Sequence, residues 1–397
     1  MLYLDNHATT CVDPRVLEAM LPYFSEQYGN PGSTGHRLGE TAHQAVERSQ
    51  KSIASCLGAA RSEIVFTSGA TESNNLAILG AAQRKRQPKK HLISVGTEHH
   101  SVLEPLHRLA RRDFEVTTLK VEPYPSPTAG WLDPQKVADA LRDDTLLVSV
   151  MLANNEIGIL QPLAEIGELC QRQGVLLHCD ATQAVGKIPV NMQQIPIDLM
   201  SLTAHKIYGP KGVGVLLVRN RSPKVRLEPQ ITGGGQQAGR RSGTLNTPGI
   251  VGMATALELC LDELPSESQR LSMLRNRLWE GLNNQLGDLQ LCGPALDAVD
   301  HAGQLLRLPG NLNLSFGNVD GEALLMSMGD LAVSSGATCA STDPGPSHVL
   351  LALGMGEDLA RSSLRFGLGR FNTEAEIDQS IEIVTTAVKK LRKLASS

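Results

Sequence analysis

Through the first two thirds of the chain, short apolar runs alternate with longer stretches whose apolar residues recur at helical spacing. That alternation predicts an α/β domain built on a mostly parallel sheet. The predicted strands are Glu63 to Thr67, His91 to Val95, Glu115 to Leu119, Thr145 to Leu152, Val175 to Asp180, Leu199 to Thr203 and Val213 to Val218. Thr41 to Leu57, Ser73 to Arg84 and Leu163 to Arg172 are predicted helices between them. Only the loop Ala204 to Gly212 joins the last two runs, so they are expected to pair antiparallel at one edge of a seven-strand sheet. After Gly249 a long helical pattern is expected to break at Pro265 and resume through Ser266 to Leu286. This places a large α/β domain over residues 15–262, with residues 1–14 and 263–397 forming a smaller α+β domain. The final helix is signalled by a capping box, Thr373 with Glu376, and by Ile377, Ile381, Val384, Val388 and Leu391 on one face. Pro123 to Pro127 is a predicted loop, and the basic run Arg84 to Lys90 a solvated helix end and turn.

Composition narrows the function. The 397 residues suffice for a large core without staples, and 37 Lys and Arg against 41 Asp and Glu leave a net charge of −4. No basic surplus points to nucleic acid or an anionic membrane, and aromatics at 3% offer few stacking platforms for single strands. Seven cysteines without paired spacing argue against a disulfide framework or a zinc site and suit a reducing compartment. Met1 to Thr10 lacks the basic and apolar regions of a signal peptide, and no apolar run spans a bilayer, so a soluble, cytoplasmic protein is expected.

Four segments carry candidate chemistry. Thr67 to Asn75, T-S-G-A-T-E-S-N-N, follows a strand and opens a helix, where backbone N–H groups, the Thr71 hydroxyl and the helix dipole suit a phosphate. Taken alone, this segment is better explained as an ordinary strand-to-helix turn capped by Ser68, Thr71 or Ser73. His178 to Lys187 brings Asp180 to the C-terminal end of a strand, where open α/β sheets place ligands, although the same residue could cap the next helix. Ser201 to Gly212 puts Lys206 in a loop just past the following strand. A phosphate cradle, a strand-end Asp and a strand-end Lys together are what a pyridoxal phosphate enzyme needs: the Lys to carry the cofactor, the Asp to hold its ring nitrogen protonated. His99, beyond the strand ending at Val95, could stack on the ring and shuttle protons; His99 and His100 as metal ligands have no further cluster to join. In Asp330 to Ser347, Cys339 lies among Gly, Ser, Thr, Asp and Pro, unlike a packing cysteine. Cys56, Cys170, Cys179 and Cys260, with Cys11 and Cys292 less clearly, are expected to be small buried hydrophobes.

These residues resemble the class V aminotransferase-type pyridoxal phosphate enzymes and, within them, the cysteine desulfurases of iron-sulfur cluster assembly. The resemblance runs nearly end to end: Y-L-D-N-H-A-T-T at Tyr3, G-N-P-G-S at Gly29, F-T-S-G-A-T-E-S-N-N at Phe66, N-N-E-I-G at Asn154, D-A-T-Q at Asp180, H-K-I-Y-G-P-K-G at His205, G-G-G-Q at Gly233, R-S-G-T at Arg241, S-S-G-A-T-C at Ser334 and R-F-G-L-G-R-F at Arg365. It implies the type I aminotransferase fold, working as a homodimer. By the same resemblance, Lys206 would be the Schiff-base lysine, Asp180 the pyridinium partner and Gln183 the neighbour of the ring hydroxyl. Ala70, Thr71, Thr203 and His205 would hold the phosphate, with Thr244 reaching in from the other subunit. His99 would stack on the ring and serve in proton transfer, while Asn155 and Arg365 would bind the substrate carboxylate. Cys339 would accept the sulfur of L-cysteine as a persulfide, releasing alanine, on an arm whose Gly336, Pro344 and Gly345 suit flexibility.

Two departures stand out. Thr203 replaces the family's common Ser, keeping the hydroxyl. The chain ends at Lys390 to Ser397, without the longer tail by which many members dock a scaffold, so the sulfur acceptor could be a different scaffold or carrier, or be met mainly through the Cys339 loop. A selenocysteine lyase, similar in M-L-A-N-N-E at Met151, is the rival enzyme reading, and a non-catalytic scaffold of the same fold the rival outside catalysis.

Overall fold

The computed structural model describes residues 1–397 except 86, 221, 223, 302, 336–344, 396 and 397; Cys339, Gly336 and Pro344 therefore lie outside the described residues. The large sheet has seven strands in the spatial order Ile64–Thr67, Gly214–Val218, Leu199–Thr203, Leu176–Asp180, Thr145–Ser149, His91–Val95 and Glu115–Leu119. Neighbours from Leu199–Thr203 to Glu115–Leu119 run parallel. Leu199–Thr203 and Gly214–Val218 pair antiparallel, as their short connection requires, but not at an edge: Ile64–Thr67 adds outside Gly214–Val218, also antiparallel. A sequence pattern fixes that two runs pair, not which later partner each strand's other side receives.

Every residue of the strands Ile64–Thr67, His91–Val95, Thr145–Ser149, Leu199–Thr203 and Gly214–Val218 is buried, as expected for a sheet covered by helices on both faces. Two helices start earlier than predicted. Arg37–Cys56 begins where His36 caps it, its Nδ1 accepting from the Gly39 N–H at 3.1 Å, and His is an uncommon cap. Ala70–Ala82 begins directly after Gly69, whose φ of +155° lets the chain turn sharply from strand to helix. Pro265 does not break the long helix, which runs unbroken over Thr247–Gln285. Pro265 is exposed, so water can satisfy the carbonyl that loses its partner.

A second, antiparallel sheet of Ser334–Ser335, Ser363–Gly367, Asn311–Phe316 and Leu289–Leu291 packs with the final helix, Glu374–Ala395. Leu4 and apolar residues between Leu271 and Val388 make its core. The capping box forms as predicted, with the Thr373 N–H donating to Glu376 Oε2 at 2.9 Å and the Glu376 N–H to Thr373 Oγ1 at 3.3 Å. Cys170, Cys179, Cys260 and Cys292 are buried, but Cys56 is half-buried and Cys11 exposed, on a segment that turns Thr10 and Asp13 inward instead. Among the described residues no helix is long and apolar enough to cross a membrane.

Polar side chains also stitch the sheet. His178, fully buried, bridges Ser149 Oγ at 2.8 Å and Ser201 Oγ at 3.0 Å, tying three adjacent strands beneath the site. Burial pushes its pKa down to about 4, against the opposing pull of Asp180. The unfolded chain, with His near ~6.5, then binds a proton that the fold refuses, so stability falls as pH drops through that value and the loss levels off below about 4. Urea titrations of the apoprotein at neutral pH and near pH 5 are expected to give a lower midpoint in acid, with His178→Gln reducing the difference but not abolishing it, because His7 and His205 are depressed as well; an unchanged difference in the variant would assign it elsewhere.

Candidate active site

The C-terminal ends of the parallel strands and the first strand of the smaller sheet's pair open onto one cavity of about 810 Å³. Ala70, Thr71, His99, Asn155, Asp180, Gln183, Thr203, His205, Lys206 and Arg365 all line it. Thr244 does not; it lines a separate pocket with Asn30, Gly32 and His43, so within one chain the structure does not bring it to the others.

Asp180 closes the strand Leu176–Asp180 and is nearly buried. Its Oδ1 accepts from the Thr182 N–H at 3.0 Å and its Oδ2 from Asn74 Nδ2 at 2.8 Å, so charge in this low-dielectric place is held by donors. Lys206 lies in the short turn Ala204–Lys206 that ends the next strand, and its Nζ donates to the carbonyls of His7 and, at 2.6 Å, of Ala8. The N-terminal segment thus forms a wall of the site. Gln183 joins it, donating from Nε2 to the His7 carbonyl at 2.9 Å and lying 3.1 Å from His7 Nδ1 through Oε1. The buried amine of Lys187 reaches the same Oε1 at 2.5 Å.

Helix Ala70–Ala82 has no side chain capping it from Gly69, so neither Ser68, Thr71 nor Ser73 serves as its N-cap. Its first-turn N–H groups point to the cavity end of the helix, where the dipole is positive. Thr203 Oγ1 donates to the Val213 carbonyl at 3.1 Å, and His205 Nδ1 lies 3.2 Å from Thr9 Oγ1. His99 is the N-cap of helix His100–Ala110. On the opposite side of the chain, Arg365 in strand Ser363–Gly367 pairs with Asp5 Oδ1 at 2.9 Å and donates to Ser334 Oγ at 2.9 Å and the Asn155 carbonyl at 3.1 Å. Its Nε is buried with no hydrogen-bond partner among the described residues. A buried guanidinium N–H without an acceptor is rare.

Cations dominate the electrostatics. Burial, then Lys206, Lys211 and Lys187, hold His205 down at about 4, so it is neutral at neutral pH. Burial and the cations of Lys187, Arg365 and Lys206 keep His7 neutral too. Burial followed by Lys206 lowers Lys187 to about 7. Glu98, buried and accepting from the Met151 N–H at 2.6 Å, is pushed well above the usual carboxylate range, so it adds little negative charge. A cavity of this sign, with a helix N-terminus at one side and a donor-held carboxylate at another, fits a group with a phosphate and a protonated ring nitrogen. Pyridoxal phosphate has both, and the Lys206 amine, the kind of group that could carry it, lies in the same cavity.

Sequence reasoning missed Asn74, Ser101, His7, Asp5 and Ser334 as parts of the site. His7 and Asp5 stand in the Y-L-D-N-H-A-T-T motif and Asn74 in T-E-S-N-N, so a signal was present, but which polar residue faces inward depends on tertiary contacts. Among the described residues no group of three or more His, Cys, Asp or Glu side chains could hold a metal ion.

Comparison with known proteins agrees with the geometry. The model of the family described as aminotransferase class-V matches residues 2–379. A cysteine desulfurase IscS of Anaeromyxobacter dehalogenans (strain 2CP-C) is 52% identical over 99% of this chain and 94% of its own length. The protein of the same name from Aeromonas salmonicida (strain A449) is 49% identical over the same shares. Among solved structures, one titled NifS-like protein superposes with a TM-score of 0.88 at 35% identity, covering 98% of this chain and all of that one. Another, titled SspA in complex with cysteine, gives 0.79 at 36% identity over 94% of this chain and 100% of its own. With a family model spanning nearly its whole length and a cavity that fits the cofactor of that family, this chain belongs to the class-V aminotransferases.

Proposed function

We propose that the protein is a pyridoxal phosphate-dependent cysteine desulfurase that takes sulfur from L-cysteine, leaves L-alanine and carries the sulfur on Cys339 as a persulfide for iron-sulfur cluster assembly. The observation that carries this reading is the meeting in one cavity of Lys206, Asp180, the N-terminus of helix Ala70–Ala82 and an Arg365 with an unused donor. The names of the relatives supply cysteine as the substrate.

Ala70, Thr71, Thr203 and His205 would hold the cofactor's phosphate, Asp180 would face its ring nitrogen and Gln183 its ring hydroxyl, and Lys206 would supply the amine that carries it. When bound, the cofactor withdraws electrons from the substrate Cα and so eases C–S cleavage. Arg365, with Asn155 beside it, binds the cysteine carboxylate through the guanidinium fork. Lys206 takes the Cα proton as an amine and returns it. His99 offers a flat ring to the cofactor face. The Cys339 thiolate attacks the substrate Sγ: an S–S bond forms, the Cβ–S bond breaks, and its electron pair stays on carbon, where a proton completes alanine. The net exchange is cysteine plus a thiol giving alanine plus a persulfide, with no outside oxidant.

A second copy of the chain completes the site, delivering Thr244 to the phosphate from the pocket it now lines. The cysteine arm belongs to the unit of residues 1–14 and 263–397. A sulfur-accepting scaffold or carrier protein then meets Cys339, and a cytoplasmic, reducing setting keeps that thiol available.

Mass spectrometry after cysteine addition is expected to find one extra sulfur on Cys339, with Cys339→Ala abolishing both persulfide and alanine release, and Lys206→Ala losing the visible absorption of the bound cofactor. Persulfide on another cysteine, or alanine release at an undiminished rate without Cys339, contradicts the proposal. A selenocysteine lyase would instead retain turnover of selenocysteine without the thiol.

Arg365→Lys, which keeps the charge but loses the fork, is expected to raise KM for cysteine about tenfold, the loss of roughly one charge-assisted hydrogen bond. Steady-state kinetics with unchanged KM would place carboxylate binding elsewhere.

A further inference from the structure

We propose that Asn74 and Ser101 are positioning residues that fix His99 as the neutral tautomer protonated at Nε2, so that His99 serves the cavity as a hydrogen-bond donor and not as a group that gains and loses a proton. This rests on the reading of the cavity as a pyridoxal phosphate site, and it narrows the proton-transfer role that the resemblance implied for His99.

The assignment follows from which atoms can only donate and which can only accept. His99 caps helix His100–Ala110 with its own ring: Nδ1 accepts from the Ser101 backbone N–H at 3.1 Å. A backbone N–H has no lone pair to offer, so Nδ1 must be bare, and the ring proton sits on Nε2. The hydroxyl of Ser101 lies 2.8 Å from the same Nδ1. Its direction is set from the far side by Asn74, whose Nδ2 donates to Ser101 Oγ at 2.8 Å and to Asp180 Oδ2 at 2.8 Å.

Asp180 fixes the orientation of Asn74. A carboxylate only accepts, so the amide must turn its NH₂ toward it, and both amide hydrogens are then spent, one on Asp180 and one on Ser101. The cost is visible: Asn74 Oδ1 is buried with no partner among the described residues. An amide free to choose would not leave its carbonyl unpaired, a loss of about 1–3 kcal/mol in general. With Oγ already accepting from Asn74, the Ser101 hydrogen is directed to His99 Nδ1. Two donors thus face Nδ1, and a proton there would be opposed by both.

The remaining charges around His99 act in both directions. Asp180 favours its protonation, while burial, Lys206, His100 and His348 oppose it, and the sum lies below the usual value. Besides this direct pull, Asp180 acts on His99 through Asn74 and Ser101, which turn its demand for donors into a demand that Nδ1 stay bare. Proton removal and return at the substrate Cα then fall to Lys206, whose amine can change protonation without breaking a helix cap.

The test uses the full-length protein labelled with ¹⁵N-histidine, with the His99 signals assigned by their loss in His99→Gln. Wild type, with and without pyridoxal phosphate, is expected to show the Nε2–H tautomer from about pH 6 to 8. Ser101→Ala and Asn74→Leu, each freeing Nδ1 from the directed hydroxyl, should raise the proton affinity of His99 about tenfold, one pKa unit. Ser101→Thr, which keeps the hydroxyl, should restore the wild-type titration and controls for damage to the fold. An Nδ1–H tautomer or an imidazolium at neutral pH in wild type overturns the proposal, as does an unchanged titration in both Ser101→Ala and Asn74→Leu. Cofactor absorption and alanine release, measured on the same samples, report separately on the enzyme reading: their absence with the tautomer intact would remove the assigned activity and leave the positioning network standing.

Discussion

One buried carboxylate organises this site. Asp180 ends a strand in the middle of a sheet whose neighbouring residues are apolar or neutral, so its charge survives only if donors are delivered to it. They come from the backbone two residues on, at Thr182, and from Asn74 on the helix Ala70–Ala82. That second bond does more than stabilise a charge. It ties the helix whose N-terminus faces the cavity to the strand that presents the carboxylate, and so sets the distance between the two.

Much of this was legible in the sequence because open parallel sheets gather chemistry at the C-terminal ends of their strands. Strands that end at Thr67, Val95, Asp180 and Thr203 read as apolar runs stopped by polar or small residues, and the residues just beyond them are the ones that meet in the cavity. What local pattern could not supply is whatever depends on a partner distant in sequence. The antiparallel pair was placed at an edge because nothing in residues 199–218 signals that Ile64–Thr67 will join the outer side. Pro265 was read as a break because its effect depends on whether the freed carbonyl finds water, which burial decides. Asn74 and Ser101 look like ordinary polar positions of helices, and only the packing of one helix against the next brings them 2.8 Å apart.

The N-terminal segment shows the same dependence on distant partners. His7 and Ala8 offer carbonyls to Lys206, His7 also receives Gln183, and Asp5 pairs with Arg365 more than three hundred residues away in sequence. Residues 5–8 therefore touch both the lysine proposed to carry the cofactor and the arginine proposed to bind substrate. Asp5 also accepts from Ser334 at 2.7 Å, two residues before the segment that includes Cys339. A carboxylate shared between Arg365 and Ser334 ties the cation proposed to bind substrate to the last strand before that segment.

Burial, reinforced by neighbouring cations, explains why so many ionisable groups here are neutral. Burial and the cations of Lys187, Lys206, Lys211 and Arg365 leave His7 and His205 uncharged, and burial and Lys206 leave the Lys187 ammonium close to losing its charge. A site so arranged keeps its positive charge on Lys206, Lys211 and Arg365, and would answer an incoming anion with donors already in place instead of with protons taken up on binding. Electrostatic preorganisation of this kind costs stability in the empty protein, since like charges are held together out of water, and that cost is recovered when the anions arrive. The two carbonyls of His7 and Ala8 that receive the Lys206 Nζ belong to the same balance, because they hold the amine at the cavity wall before any ligand arrives.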